Sequence, residues 1–503
     1  MNNDHTFFPG YHPDDGARFR KPISAANVRE AFSLCSDFNE RELLYGLTGT
    51  EKLTVFWLDG VASAQSISEL VIRPLTDRLR ALPSTGADEL ENVLSLGGIY
   101  SAAIKHRGAL SDVIDDLTHG FCAVVSDSLG SALTFELKSD KVRSVDSPTL
   151  EKSLKGAKDS FVEVIRVNTA LVRRRVCSPS LKCVESSLGR KSSTKISVMF
   201  IEGVANPDTV KSLARRLDAI DVDAVTSVGT IEHYIIDAPL SPFPQLIHTE
   251  RPDRFAGYLL DGRIGILIDG LPIGLVLPVT FAAFMTVTGD SNQHFLVSTG
   301  LGLLRYLALL LGLLLPAFYV AIAMYHQEMI PSGLLLSMIN AKQNVPFSTG
   351  AEIIGMLITF SLLQEAGLRL PNPVGDTVSI IGALIVGQSA VDAQVASPIA
   401  IIVVATSGIA CYTLPSQDLG SAVRIFRLAA VIAAAVCGFY GVAIVTAALI
   451  YHLSELDSFG VSYTSPLTDE RPGGLFRLLI KPPARANKFR DSALKTPDRR
   501  RQK

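Results

Sequence analysis

The chain has 503 residues, a formal net charge of −2 and 48% hydrophobic residues. That length allows about two to four domains, and the near-neutral balance offers no electrostatic footprint for nucleic acid, so no nucleic-acid partner is expected. Six cysteines are scattered, and Cys177 and Cys183 lack a second pair at metal-ligand spacing, which argues against a zinc site and against a disulfide-built secreted fold.

Residues 1–35 are polar, hold Pro and Gly, and read as a flexible lead-in. A helix is predicted near Asp37, where Asp37-Phe-Asn-Glu40 resembles a capping box. No basic start followed by an apolar run opens the chain, so no signal peptide is expected and the long polar region should stay in the cytoplasm. That region repeats itself. Val55-Phe-Trp-Leu-Asp-Gly-Val-Ala62 is matched by Val198-Met-Phe-Ile-Glu-Gly-Val-Ala205, and Gly120-Phe-Cys-Ala-Val-Val-Ser-Asp127 by Gly262-Arg-Ile-Gly-Ile-Leu-Ile-Asp269. The spacings from Asp59 to Glu202 and from Asp127 to Asp269 agree to within one residue. Each first motif is a strand followed by a helix, roughly Ser66 to Leu82 and Asp208 to Ile220. Each second motif is a strand closed by a turn, Asp127-Ser-Leu-Gly130 or Asp269-Gly-Leu-Pro272.

Two similar α/β subdomains in tandem follow, over 36–145 and 196–290. Residues 146–195 are read as a helix, Leu150 to Val176, and a polar linker, CSPSLKCVESSLGRKSSTK. Arg173, Arg174 and Arg175 on that helix suit either a solvated face or acidic lipid headgroups. Asp59 and Glu202 stand at strand ends, where turn chemistry explains them. No GxxxxGK[ST] or GxGxxG motif and no Ser or His constellation accompanies them, so an enzyme is not expected, and no catalytic, cofactor-binding or metal residue is assigned.

Apolar weight concentrates in residues 295–453, read as a polytopic α-helical membrane domain of about five spans. These are Leu301 to Met324, Ala351 to Ala366, Val374 to Val391, Pro398 to Leu414, and Ser421 to Leu453. Arg305 is expected to reach headgroups, and Arg424 and Arg427 stand where the last span enters. Residues 454–503 form a tail with ten basic residues from Arg477 to Lys503, expected in the cytoplasm. Five crossings place the two ends on opposite sides, which conflicts with two cytoplasmic ends. Either Ser332 to Ala341 is a re-entrant elbow or one span does not cross.

Glu365, Asp376, Asp392 and Gln394 fit loops at headgroup level, whereas Gln388 lies deeper and needs a partner. The small residues Ser379, Gly382 and Ala383 let helices approach closely. With Gln388 and Asp392, one turn apart on one face, they are the pore-lining candidates. Asp392 would form an acid ring in an oligomer, and acid rings favour cations. The packing alternative makes Gln388 a helix–helix hydrogen-bonding residue and Asp392 a loop cap.

Glu250-Arg-Pro-Asp253, the hairpin Gly262 to Pro278, His326 to Pro331, Pro371-Asn-Pro-Val-Gly375 with Val378 to Val391, Ala396-Ser-Pro398 and Thr413-Leu-Pro415 resemble the A-subunit family of bacterial spore germination receptors, the GerA type. Asp392 stands where that family more often has Glu. The resemblance implies a multi-pass protein of the endospore inner membrane. It implies work with a transporter-like B subunit that binds the nutrient and a lipoprotein C subunit, and homo-oligomerisation into a germinant-gated cation channel. A non-conducting scaffold, or a paralogous branch tied to dipicolinic-acid release, are the alternatives.

Overall fold

The computed structural model describes residues 21–45, 51–81, 104–139, 148, 151, 156–369, 387–468 and 474–502. The first unit comprises α1 (Ala25–Ala31), β1 (Phe38–Tyr45) and β2 (Glu51–Leu58). Next comes α2, three successive helical segments Ala64–Ile67, Ser68–Ile72 and Arg73–Ala81. Then follow β3 (Ile104–Arg107), α3 (Leu110–Thr118), β4 (Phe121–Ser126) and β5 (Ser131–Glu136). The second comprises α4 (Ile165–Arg173), β6 (Leu181–Leu188), β7 (Thr194–Ile201), α5 (Pro207–Asp218) and α6 (Val228–Ile235). It continues with β8 (Ile247–Thr249), α7 (Pro252–Leu260), β9 (Ile264–Ile268) and β10 (Gly274–Leu277).

The two sheets have one topology. Their strand orders are β1-β2-β4-β5-β3 and β6-β7-β9-β10-β8, with every pairing antiparallel. Side chains alternate across each sheet with period two. Leu53 and Val55 therefore face the core under α2, while Phe56 and Leu58 face that of α1 and α3. In the second unit Val198 and Phe200 face α5, and Met199 and Ile201 face α4 and α7. The repeated turn acids have equivalent jobs. Asp127 accepts the Ala25 N–H at 2.7 Å, and Asp269 accepts the Ile165 N–H at 3.1 Å, so each caps the helix that opens its own unit. The glycines after Asp59 and Glu202 share a left-handed backbone, φ +82 at Gly60 and +80 at Gly203, which only glycine adopts without strain.

Four local expectations fail, for physical reasons. The lead-in expected over 1–35 holds α1, because Val28, Ala31 and Phe32 are apolar at helical spacing and are buried in the core of the first unit. No helix starts at Asp37, whose carboxylate is taken by Arg173; residues Phe38–Tyr45 pair along the whole of β2 instead. The supposed linker is the hairpin of β6 and β7, and its polar look comes from side chains with partners. Lys182 pairs with Glu202 at 3.3 Å and donates to the Ala31 carbonyl at 3.2 Å. Of the helix drawn from Leu150 to Val176, the described residues are helical over Ile165–Arg173, and residues 150 and 152–155 lie outside them. Its arginines divide: Arg173 is buried, Arg175 is half-buried and Arg174 is exposed. Arg173 is 1% exposed and bidentate on Asp37, Arg174 donates to the Ser139 carbonyl, and Arg175 pairs with Asp159. Asp37 and Arg173 thus tie the two units together, beside a backbone bridge between Cys35 and Cys183.

Past α8 (Phe281–Phe284) the chain enters the bundle of α9 (Phe295–Tyr325), α10 (Ser332–Lys342), α11 (Thr349–Arg369), α12 (Pro398–Tyr412) and α13 (Gln417–Glu455). Among the described residues two helices, α9 and α13, are long and apolar enough to cross a membrane. The last expected span, Ser421 to Leu453, is not one helix. Gly438 has φ 60 and ψ −140, and the chain reverses there. Phe426 and His452 have ring centroids 6.3 Å apart. In an unbroken helix they would stand roughly 39 Å apart at 1.5 Å per residue. α13 is therefore a hairpin of limbs 417–437 and 439–455, each near the length a bilayer core requires. The Tyr325 hydroxyl at the end of α9 donates toward the Ala435 and Val436 carbonyls beside the tip. The expected elbow is α10, which has no buried residue. Of the central segment Val374 to Val391, residues 374–386 lie outside the described residues, and 387–392 are helical.

After α13, β11 (Asp457–Ser458) and β12 (Val461–Ser462) lead back to the second unit. Tyr463 is buried against Phe281 and Phe284. The tail follows α14 (Gly474–Leu479) and lies on the same unit. Arg490 donates to the Leu260 carbonyl at 2.9 Å, and Arg501 pairs with Asp261 at 3.0 Å. Both flanks of the bundle thus pack on the second unit.

Candidate functional site

The sheet units meet the bundle through charges as well as apolar packing. Asp290 stands just before α9 and takes two hydrogen bonds from Arg305, at 2.6 and 2.7 Å, and one from Lys481 of the tail at 2.5 Å. Burial opposes the carboxylate charge, but those two cations outweigh it and hold Asp290 down at about 2. Arg305 is accordingly a latch between chain segments, not a headgroup contact. On another side His248 of β8 lies between Asp418, at 3.1 Å, and Glu232, at 3.3 Å. Burial disfavours the imidazolium, yet the two carboxylates prevail and raise His248 to about 9. The Ser241 hydroxyl and His452 Nε2 are 2.8 Å apart, and Phe243 packs on Phe426 with centroids 5.4 Å apart. One apolar core runs from Phe255 and Val276 of the second unit to Leu313, Leu419 and Leu449 of the bundle.

The His248 contact carries a pH signature. Its folded value lies above the unfolded one of about 6.5, so its contribution is whole below that pH and is lost as pH rises through about 9. The melting temperature of the full chain should fall between pH 6.5 and 9 more steeply in the wild type than in His248→Gln. Equal slopes would show that the junction does not depend on the charge.

Inside the bundle, among the described residues, two charged side chains are enclosed, and both grip α12. Glu352, on the first turn of α11, is 4% exposed, and its Oε1 accepts the N–H of Ser397, the residue that caps α12. Arg427, on the first limb of α13, is 2% exposed and donates to Ser407 Oγ at 3.1 Å and toward Cys411 Sγ at 3.7 Å. Ser407 in turn donates to the Gly312 carbonyl of α9 at 2.8 Å. The acid thus sits at the amino end of α12 and the cation near its carboxyl end, the pattern that complements a helix dipole. Each also has a buried atom without a hydrogen-bond partner, Glu352 Oε2 and Arg427 Nε. Charged groups at such depth are costly and point to function.

The expected pore residues are placed only in part. Ser379, Gly382, Ala383 and Asp376 lie outside the described residues. Gln388 and Asp392 fall on one short helical stretch and are exposed on the single chain, as are Glu365 and Gln394. Asp59 and Glu202 are ion-pair partners of Arg166 and Lys182. Sequence reasoning passed over Glu352, Asp290 and His248. Glu352 did leave a signal, as an acid one residue inside the apolar run that starts at Ala351. Among the described residues no group of three or more His, Cys, Asp or Glu side chains is placed to hold a metal ion.

The family model for Bacillus/Clostridium GerA spore germination proteins matches residues 26–493. The chain is 34% identical to the spore germination protein KA of Bacillus subtilis over 486 residues, 96% of this chain and 88% of that one. It is also 34% identical to the uncharacterized membrane protein YfkQ of the same organism, over 89% of this chain and 86% of the relative. A crystal structure of the N-terminal domain of the A subunit of the Bacillus megaterium spore germinant receptor GerK3 aligns at 29% identity with a TM-score of 0.39. It covers 51% of this chain and 93% of that domain. By the extent of the family-model match and of the alignment with protein KA, the chain belongs to the GerA spore germination protein family.

Proposed function

We propose that this chain is the A subunit of a nutrient-responsive spore germination receptor and acts in transport, not catalysis. It sits in the endospore inner membrane with its sheet units and tail on the cytoplasmic side. The observation that carries the reading is the family match over residues 26–493, reinforced by relatives named as spore germination proteins. The chain works with a transporter-like B subunit and a lipoprotein C subunit. Copies of it assemble around an axis lined by the segment that holds Ser379, Gly382, Ala383, Gln388 and Asp392, forming a cation pathway. Support for that face comes from Gln388 and Asp392, which are exposed on one chain. Acid rings favour cations.

Reconstitution with the partner subunits in liposomes tests this. Nutrient should trigger cation flux only when this chain is present. Asp392→Asn should reduce cation selectivity while the assembled amount stays unchanged. Normal selectivity and flux from fully assembled Asp392→Asn and Gln388→Leu receptors would remove this helix from the pathway. Flux without the chain would leave it a scaffold.

A further inference from the structure

Glu352 is enclosed yet only half satisfied. One carboxylate oxygen takes the Ser397 N–H, and the other has no donor. The surroundings supply oxygens. Thr349, three residues earlier and so on the same helical face, is buried. Tyr319 of α9 packs against the apolar cluster that holds Ile353 of α11 and Ala400 of α12. Lys342, the last residue of α10, lies within electrostatic reach of this acid, and its ammonium donates to the Thr349 hydroxyl. Glu352 Oε2 is thus a buried carboxylate oxygen without a hydrogen-bond partner, between α9, α10, α11 and the amino end of α12.

We propose that this pocket is an alkali-metal cation site formed by Glu352, Thr349 and Tyr319. The donor set is all hard oxygen, which suits alkali and alkaline-earth ions over transition metals. A single carboxylate balances one positive charge, whereas divalent ions take several charged ligands. Lys342 is a tethered competitor at the rim, since its ammonium shares Thr349 with the ion. The site lies within one chain, apart from the exposed face of Gln388 and Asp392. It does not rest on the receptor reading.

The test uses the full chain purified in detergent, with melting temperature measured in NaCl, KCl and N-methylglucamine chloride at equal ionic strength. An alkali salt should raise the melting temperature above that in N-methylglucamine, with saturation. Lys342→Met should bring saturation to lower concentration, and Glu352→Gln should abolish the difference. Identical melting in all three salts for both wild type and Lys342→Met would overturn the proposal, and so would an undiminished alkali effect in Glu352→Gln. Should Glu352→Gln fail to fold, the wild-type and Lys342→Met comparison decides alone.

Discussion

Asp37→Ala should destabilise the full chain by about 3–5 kcal/mol, the usual result of removing one partner from a buried ion pair. Arg173 would stay at 1% exposure with its guanidinium facing an apolar gap, and only the Leu181 carbonyl, at 3.0 Å, would still accept from it. The loss arises from the stranded charge more than from the missing attraction. Replacing both partners, Asp37→Leu with Arg173→Met, should therefore recover most of it, because apolar pairs of similar volume often match a buried ion pair. Thermal melts of the single and double variants measure this. A loss below about 1 kcal/mol for Asp37→Ala would mean that the two units do not depend on their shared pair.

Gly438→Val should be similarly damaging. With φ 60 and ψ −140 the backbone occupies a region that a β-branched residue reaches only under strain, on the order of 1–3 kcal/mol. A Cβ there would also come within 3.1–3.2 Å of Tyr325 ring atoms. The two limbs of α13 are held together by this reversal, so the variant should melt at lower temperature and assemble poorly. Wild-type melting of Gly438→Val would mean that α13 is a continuous helix.

The repeat was legible because buried strands repeat their pattern: Val55 and Val198, with the acid-Gly that follows, carry the same alternation and the same turn demand. The first strand of each unit was not. Phe38–Tyr45 and Leu181–Leu188 hold charged residues whose partners lie far along the chain, Arg173 for the Asp37 that precedes β1 and Glu202 for Lys182. Locally such stretches look like caps and linkers. The hairpin in α13 was hidden for the opposite reason. Its composition is uniformly apolar through Gly438, and one glycine in an apolar run does not announce a reversal of direction. Glu352 and Arg427 were visible as charges, but pairing each with an end of α12 depends on helix packing that periodicity does not encode.

In the proposed topology both flanks of the bundle lie on one side of the membrane and the α13 tip on the other. Two exposed cysteines report on this directly, Cys177 beside α4 and Cys437 at the tip. Intact cells that express the chain would be treated with a membrane-impermeant maleimide, using single-cysteine variants to assign the label. Cys437 should react from outside, and Cys177 only after permeabilisation. Reaction of Cys177 in intact cells, or of Cys437 only in permeabilised ones, would contradict the account.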